Sequence, residues 1–294
     1  MVKVKARRRR VARNVRRPNR SRGGDLFILV VLAIFGWFFA FPLIFVLNNA
    51  FKPLNELFLF PPRLFVINPT LGNIQDLFIL MSRSWVTFTR YIFNTVFITV
   101  VGTVGHLFFA SMGAYAISKY NIPGGKLFFN LVITTLMFTG FVTAIPNFLI
   151  LANLGWIDTY WAVIVPAFAA PLGFFLLKQF MDTVPMSLVE SSKIDGASEW
   201  RIYSRIVMPL VKPALLTGMI FSVQALWNNP QATLIYTEQL KTLPFALQQV
   251  TAGGIARAGV GAAVALIMMI VPITVFVISQ SNIMRTMATS GIKE

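Results

Sequence analysis

The chain has 294 residues, 56% of them hydrophobic and only 12% charged, and its 28 phenylalanines exceed what the core of a soluble protein hides. That composition excludes a water-soluble enzyme. The absence of cysteine and a single histidine, His106, exclude a disulfide framework, a thiolate metal site and a histidine-based triad with a choice of base.

The net charge of +16 is concentrated at the start, where eleven of the 26 Lys and Arg fall within residues 1–22. This arm, 1–24, has no aromatic residue with which to bury surface, so it is expected to be disordered and to act as a topology determinant in contact with anionic membrane lipid, not with nucleic acid. Apolar sequence runs on from Leu26 to about Phe51, too far for a cleaved signal, and reads as a first membrane helix. Six apolar stretches are long enough to span a bilayer, near 26–50, 91–117, 127–150, 157–178, 209–229 and 258–280. The third and fourth are joined through a tight turn at Asn153 to Trp156. With the arm inside, nine of the remaining 15 positive residues fall on the same side, which places both termini in the cytoplasm. The organisation predicted is a basic arm (1–24), an all-α membrane domain of six transmembrane helices (25–286) and a short cytoplasmic tail (287–294).

Between the fourth and fifth stretches the composition turns abruptly to mixed charge, over 182–209. Pro185 followed by Ser187 and Glu190 predicts a helix opened by a reciprocal capping box between those two side chains. Gly196 stands where a positive φ is needed to close it. A second helix is expected over Glu199–Met208, with Trp200, Tyr203 and Ile206/Val207 on one apolar face and Pro209 as its stop.

The spacing of this loop is more specific than its parts. Glu190-Ser191-Ser192, Gly196 after three residues, and Ile206 to Pro209 after nine more resemble the EAA loop of ABC importer permeases. Ser191 and Ser192 stand where that family has alanines, and Met208 where it has leucine. Ile194-Asp195-Gly196-Ala197-Ser198, Pro209-Leu210-Val211-Lys212-Pro213, Phe51-Lys52-Pro53 and Leu154-Gly155-Trp156 look like the second permease subunit of maltose-type carbohydrate importers. The resemblance implies a type I permease fold with a two-helix coupling loop. It implies partners too: a second permease subunit in a heterodimer, two ATPase subunits or a homodimer of one, a periplasmic or extracellular solute-binding protein, and a carbohydrate solute. It places the chain in the bacterial cytoplasmic membrane. Glu190, Ser191, Ser192, Asp195, Gly196, Ala197, Trp200, Arg201, Ile206 and Pro209 would then carry the contact with the ATPase, and residues 287–294 would resemble a tail reaching between the ATPase domains.

No Gly-x4-Gly-Lys-Ser/Thr occurs, so this chain is expected to bind no cofactor and to catalyse nothing, ATP and Mg being used by partner subunits. Polar residues within the apolar stretches are candidates for a solute path: Asn94 on the second, Thr139, Thr143 and Asn147 on the third, and Gln224, Trp227 and Asn228 on the fifth. The last three share a face by their spacing, an aromatic plane beside amides as a pyranose requires. His106 is expected to be neutral and packed. No carboxylate falls near the middle of any stretch, which argues against the rival reading of an ion-coupled carrier. A non-carbohydrate ABC solute remains the second rival, because EAA loops serve many substrates.

Overall fold

A computed structural model describes residues 22–254 and 257–290, with side chains described for all of these except 22, 141 and 282–290. The basic arm up to residue 21 and the last four residues of the tail, 291–294, lie outside the described residues. Every regular element among the described residues is helical. The chain divides between Val46 and Leu47 into two compact units, the first containing most of the long apolar helix α1 (Arg22–Phe51).

In the second unit, α2 (Leu54–Leu57) and α3 (Gly72–Ser82) precede the organising element, α4 (Phe88–Lys119). Asn94, Ile98, Gly102, His106, Ala110 and Ala114 recur at three-to-four spacing along α4 and are buried, so one stripe of this helix faces protein along its whole length. Small residues in that stripe let neighbours approach: a Cβ added to Gly102 would stand 2.6 Å from Leu226 Cδ1. Against α4 pack α7 (Trp161–Phe168), α8 (Pro171–Asp182), α12 (Lys212–Trp227) and α13 (Leu243–Thr251), and both α12 and α13 also pack against α14 (Ala258–Ser290). Gly173 on α8 is a second point of close approach, since a Cβ added there would stand 2.0 Å from His106 Nε2.

The predicted apolar stretches are helical, with altered ends and two interruptions. The third stretch is two helices, α5 (Gly125–Thr135) and α6 (Gly140–Asn153). Between them the chain tightens into short turns, Met137 N–H to Thr134 O and Phe138 N–H to Thr135 O, and Thr139 is extended. The fourth is broken before Pro171, whose ring disfavours helical geometry at Ala170. Gly155, at φ +68°, closes α6 at the predicted turn. Among the described residues four helical segments are long and apolar enough to cross a membrane: 23–51, 88–119, 161–182 with α7 and α8 taken together, and 258–281. A fifth span results if the bent pair meeting at Val211 is counted as one. The chain is therefore an all-α, multi-span membrane protein.

Candidate functional sites

At one end of the bundle, α9 (Met186–Ile194), α10 (Glu199–Arg201), a π-helical segment (Ile202–Val207) and α11 (Met208–Leu210) form the predicted two-helix knob. Gly196 has φ +75°, its N–H reaching Lys193 O and the Ala197 N–H reaching Ser192 O, which closes α9. A Cβ at Gly196 would meet nothing within 4 Å, so backbone conformation and not crowding requires glycine there.

Three expectations for the knob are corrected. The Ser187–Glu190 capping box does not form, because α9 starts from Pro185 and Ser187 already lies within the first turn. Pro209 does not stop the second helix, which runs on to Leu210. The missing proline N–H is accommodated by the wider π turn just before it, and the chain bends by 79° only at Val211. The wider turn also moves the apolar face, so that Ile202 and Val207, five apart, are fully buried with Tyr203, while Trp200 is 59% exposed and packs its ring on Tyr203 at 5.3 Å.

The buried face docks on the ends of α4 and α8, where Ala114, Tyr115, Leu177 and Met181 meet Val189, Ile202 and Val207 in one apolar cluster. A polar clasp surrounds it. Lys193 Nζ lies 2.8 Å from Glu199 Oε1, and the hydroxyls of Tyr120 and Tyr115 donate to Glu199 Oε2, the latter at 3.2 Å. The Ser111 and Tyr203 hydroxyls lie 2.7 Å apart. Outward, Glu190, Ser191, Asp195, Gly196, Arg201 and Pro209 are exposed together with Trp200, while Ser192, Ala197 and Ile206 are partly covered. The tip adds a residue that the sequence reading left out of the site, Ile194, 87% exposed beside Gly196. A bare apolar residue on a charged rim is what a partner groove would cover.

Toward the opposite end, two adjoining cavities of about 260 and 600 Å³ open between α4, α6, α7, α12 and residues 229–236. Asn147, Asn229, Gln231 and Leu234 line both. The walls are pinned from outside. Asp158 accepts from the Tyr236 and Thr237 amides, each at 2.8 Å, and donates its own amide to Leu234 O. His106 borders the smaller cavity, its Nδ1 3.2 Å from Phe168 O; a carbonyl can only accept, so the proton sits on Nδ1.

The candidate path residues are not brought together as expected. Asn94 is fully buried, with both amide donors taken by Gln239 O and Lys241 O at 2.8 Å and its oxygen accepting from Tyr160 at 2.8 Å, so it fastens the 238–241 segment to α4. Thr139 and Thr143 are exposed at the start of α6, the Thr143 hydroxyl bonded to Gly140 O. Asn147 alone of that stripe lines the cavities. The aromatic-amide patch dissolves. Trp227 is 4% exposed, packed toward α14 with its indole N–H donating to Met268 O at 3.1 Å, whereas Gln224 and Asn228 are exposed. Trp227 is a packing residue, so Trp227→Ala is expected to destabilise the chain by about 3–5 kcal/mol. In a detergent melt Trp227→Phe should recover much of this loss; a changed KM for solute with an unchanged melting temperature would restore the stacking role.

Among the described residues no three His, Asp or Glu cluster as metal ligands do. A family profile described as "Binding-protein-dependent transport system inner membrane component" matches residues 106–289, which include the knob and most of the cavity lining. The chain is 40% identical to Protein LplC of Bacillus subtilis over 167 residues, a stretch that is 56% of each chain. It is 32% identical to the polygalacturonan/rhamnogalacturonan transport system permease protein YtcP of Bacillus subtilis, over 72% of each chain. With the arabinooligosaccharides transport system permease protein AraQ of Halalkalibacterium halodurans the identity is 31%, over 75% of this chain and 79% of AraQ. A chain of the solved bacterial ABC transporter involved in the import of the acidic polysaccharide alginate has a similar fold, at a TM-score of 0.73 and 24% identity. The match covers 90% of this chain and 99% of that one.

Proposed function

The chain belongs to the family of binding-protein-dependent transport system inner membrane components, and from that premise we propose that it forms half of the translocation path of an ATP-driven importer of oligosaccharides. The observation that carries this reading is a single match spanning both the glycine-hinged knob and the lining of the cavities. Relatives named as permeases for arabinooligosaccharides and for polygalacturonan/rhamnogalacturonan support a carbohydrate solute. The flanking motifs around Gly196 and Pro209 support a second permease subunit of the maltose type.

In this reading six spans cross the cytoplasmic membrane, α5 with α6 and α7 with α8 each counting as one, and both termini face the cytoplasm. The knob then lies on the cytoplasmic side and seats in a groove of an ATPase subunit, with Ile194 and Trp200 as apolar anchors inside the rim of Glu190, Asp195 and Arg201. ATP and Mg are bound by the paired ATPase subunits, and a second permease chain completes the path. Closure of the ATPase pair drags the knob, and the apolar cluster with its clasp passes that movement to α4 and α8. The cavities then switch their opening from the solute-binding protein to the cytoplasm.

Purification of the tagged chain from cells that also express its neighbouring genes tests this directly. A second permease and an ATPase are expected to co-purify, and uptake in proteoliposomes should require ATP and the binding protein. Transport by the chain alone, driven by an ion gradient, would replace this reading with the carrier.

A further inference from the structure

Gln231 is 6% exposed, and its side-chain amide has no hydrogen-bond partner among the described residues, while its backbone is saturated. The Gln231 N–H donates to Asn229 Oδ1 at 3.0 Å, and its carbonyl accepts from Leu234 and Ile235 at 3.1 and 3.2 Å. It also holds φ +55°, a left-handed conformation that costs a residue with a Cβ on the order of 1–2 kcal/mol. The strained backbone falls at the residue that lines both cavities, and its amide, unlike the hydroxyls of Thr99 and Thr103, is not sealed from solvent but reaches the open space there. The strain turns the side chain where water or a solute supplies the partners that the protein withholds.

The remainder of the lining decides the class of solute. Among the described residues no Lys, Arg, Asp or Glu borders either cavity; the polar groups beside Gln231 are His106, Asn147, Asn229, Ser222, Thr233 and Tyr236. The nearby cations of this end are engaged elsewhere, Arg90 with Gln239 O and Tyr160, and Lys241 with Glu238 at 2.6 Å. A uronate entering this chain's half of the path would therefore lose its hydration and meet no counter-charge, whereas hydroxyl groups find amides that both donate and accept.

We propose that Gln231 is a solute-contacting residue, assisted by Asn147 and Asn229, and that the sugar units it receives are uncharged. This rests on the carbohydrate reading above. The test uses the complete transporter in proteoliposomes, offered a mixed hydrolysate of arabinan, galactan and polygalacturonate, with uptake of each oligosaccharide counted by mass spectrometry. Neutral oligosaccharides are expected to enter, with uptake at limiting concentration about tenfold lower in Gln231→Ala and partly restored in Gln231→Asn. Because the chain has no cysteine, Gln231→Cys supplies a second readout independent of solute: labelling of this chain by a water-borne methanethiosulfonate is expected, and slower labelling when the neutral pool is present. Import of galacturonate oligomers by the wild type, undiminished uptake by Gln231→Ala, or an unlabelled Gln231→Cys would each overturn the proposal with the carbohydrate reading intact. Uptake of no saccharide by the wild type would overturn both.

Discussion

Tryptophan at position 196 is expected to reduce uptake on the order of a hundredfold while the chain still inserts and assembles with its partner permease. Two effects combine there. Gly196 has φ +75°, which costs any residue with a Cβ about 1–2 kcal/mol. That alone gives a modest loss and applies equally to alanine, whose methyl would meet nothing within 4 Å. The indole is different, because it projects from the tip of the knob beside Ile194, where the ATPase groove is proposed to close. Losing an anchor of that kind removes about 2–4 kcal/mol of binding. The graded series therefore separates the roles: Gly196→Ala should keep much of its uptake, Gly196→Asn at least as much because asparagine tolerates the left-handed region, and Gly196→Trp almost none. Uptake by each variant and the ATPase retained on purification are the measurements. Equal losses for alanine and tryptophan would mean that only the turn matters and that no partner covers the tip.

The same glycine shows how much of the knob was legible in the sequence. A positive-φ requirement depends on one residue and its neighbours, so spacing alone places the turn. The long spans were legible for a related reason, since a long, mostly apolar run such as 91–117 leaves few alternatives to a helix. The interruptions were not. Gly140 and Pro171 lie inside apolar stretches that a continuous kinked helix would also satisfy, and tertiary packing decides between a kink and a break. The π turn before Pro209 was hidden because its effect, Ile202 and Val207 sharing a face five residues apart, departs from the 3.6-residue period on which the reading relied.

The solute path was the least legible part, and Trp227 and Gln231 show why. Spacing puts Trp227 on a face with Gln224 and Asn228, but it does not say whether that face meets water or another helix. In a membrane bundle both sides of an apolar helix can be covered, and the indole went to Met268 on α14. Gln231 follows Pro230 in a loop that carries no periodic signal, and glutamine is an uncommon occupant of the left-handed region. Only the fold brings it beside Asn147, 84 residues earlier in the chain. A sequence signal was present in the run Asn228-Asn229-Pro230, which marks a sharp turn where the fifth stretch ends. What lay beyond that turn depended on contacts between distant elements.

Glutamine at position 199 is expected to uncouple the importer without unfolding it. The Glu199 carboxylate is where the knob and the end of α4 share a single group: Lys193 belongs to the knob, whereas Tyr115 and Tyr120 belong to α4 and its end. The pair with Lys193 is largely solvent-exposed, so its contribution to stability is at most about 1 kcal/mol, and the melting temperature should hardly move. Coupling is another matter. If movement of the knob is to reach α4, the connection must stay closed under load, and coupling free energies of about 1–3 kcal/mol correspond to changes of roughly 5- to 150-fold. The expectation is an ATPase rate near that of the wild type with about tenfold less solute carried per ATP. Tyr203→Phe, which removes the partner of Ser111 from the same junction, should lower the ratio in the same direction. The hydrogen bond from Lys193, then that from Tyr120, hold the Glu199 carboxyl below its ordinary value. A depressed carboxylate contributes stability that is present above its unfolded pKa and lost as pH falls through its folded one. The clasp is accordingly complete at neutral pH and opens only under acid, below the usual carboxylate range. The solute-to-ATP ratio of the wild type should stay flat from pH 6 upward, and that of Glu199→Gln should be low throughout. Uptake and ATPase activity falling in parallel would instead place Glu199 in assembly with the ATPase, outside the transmission of its movement.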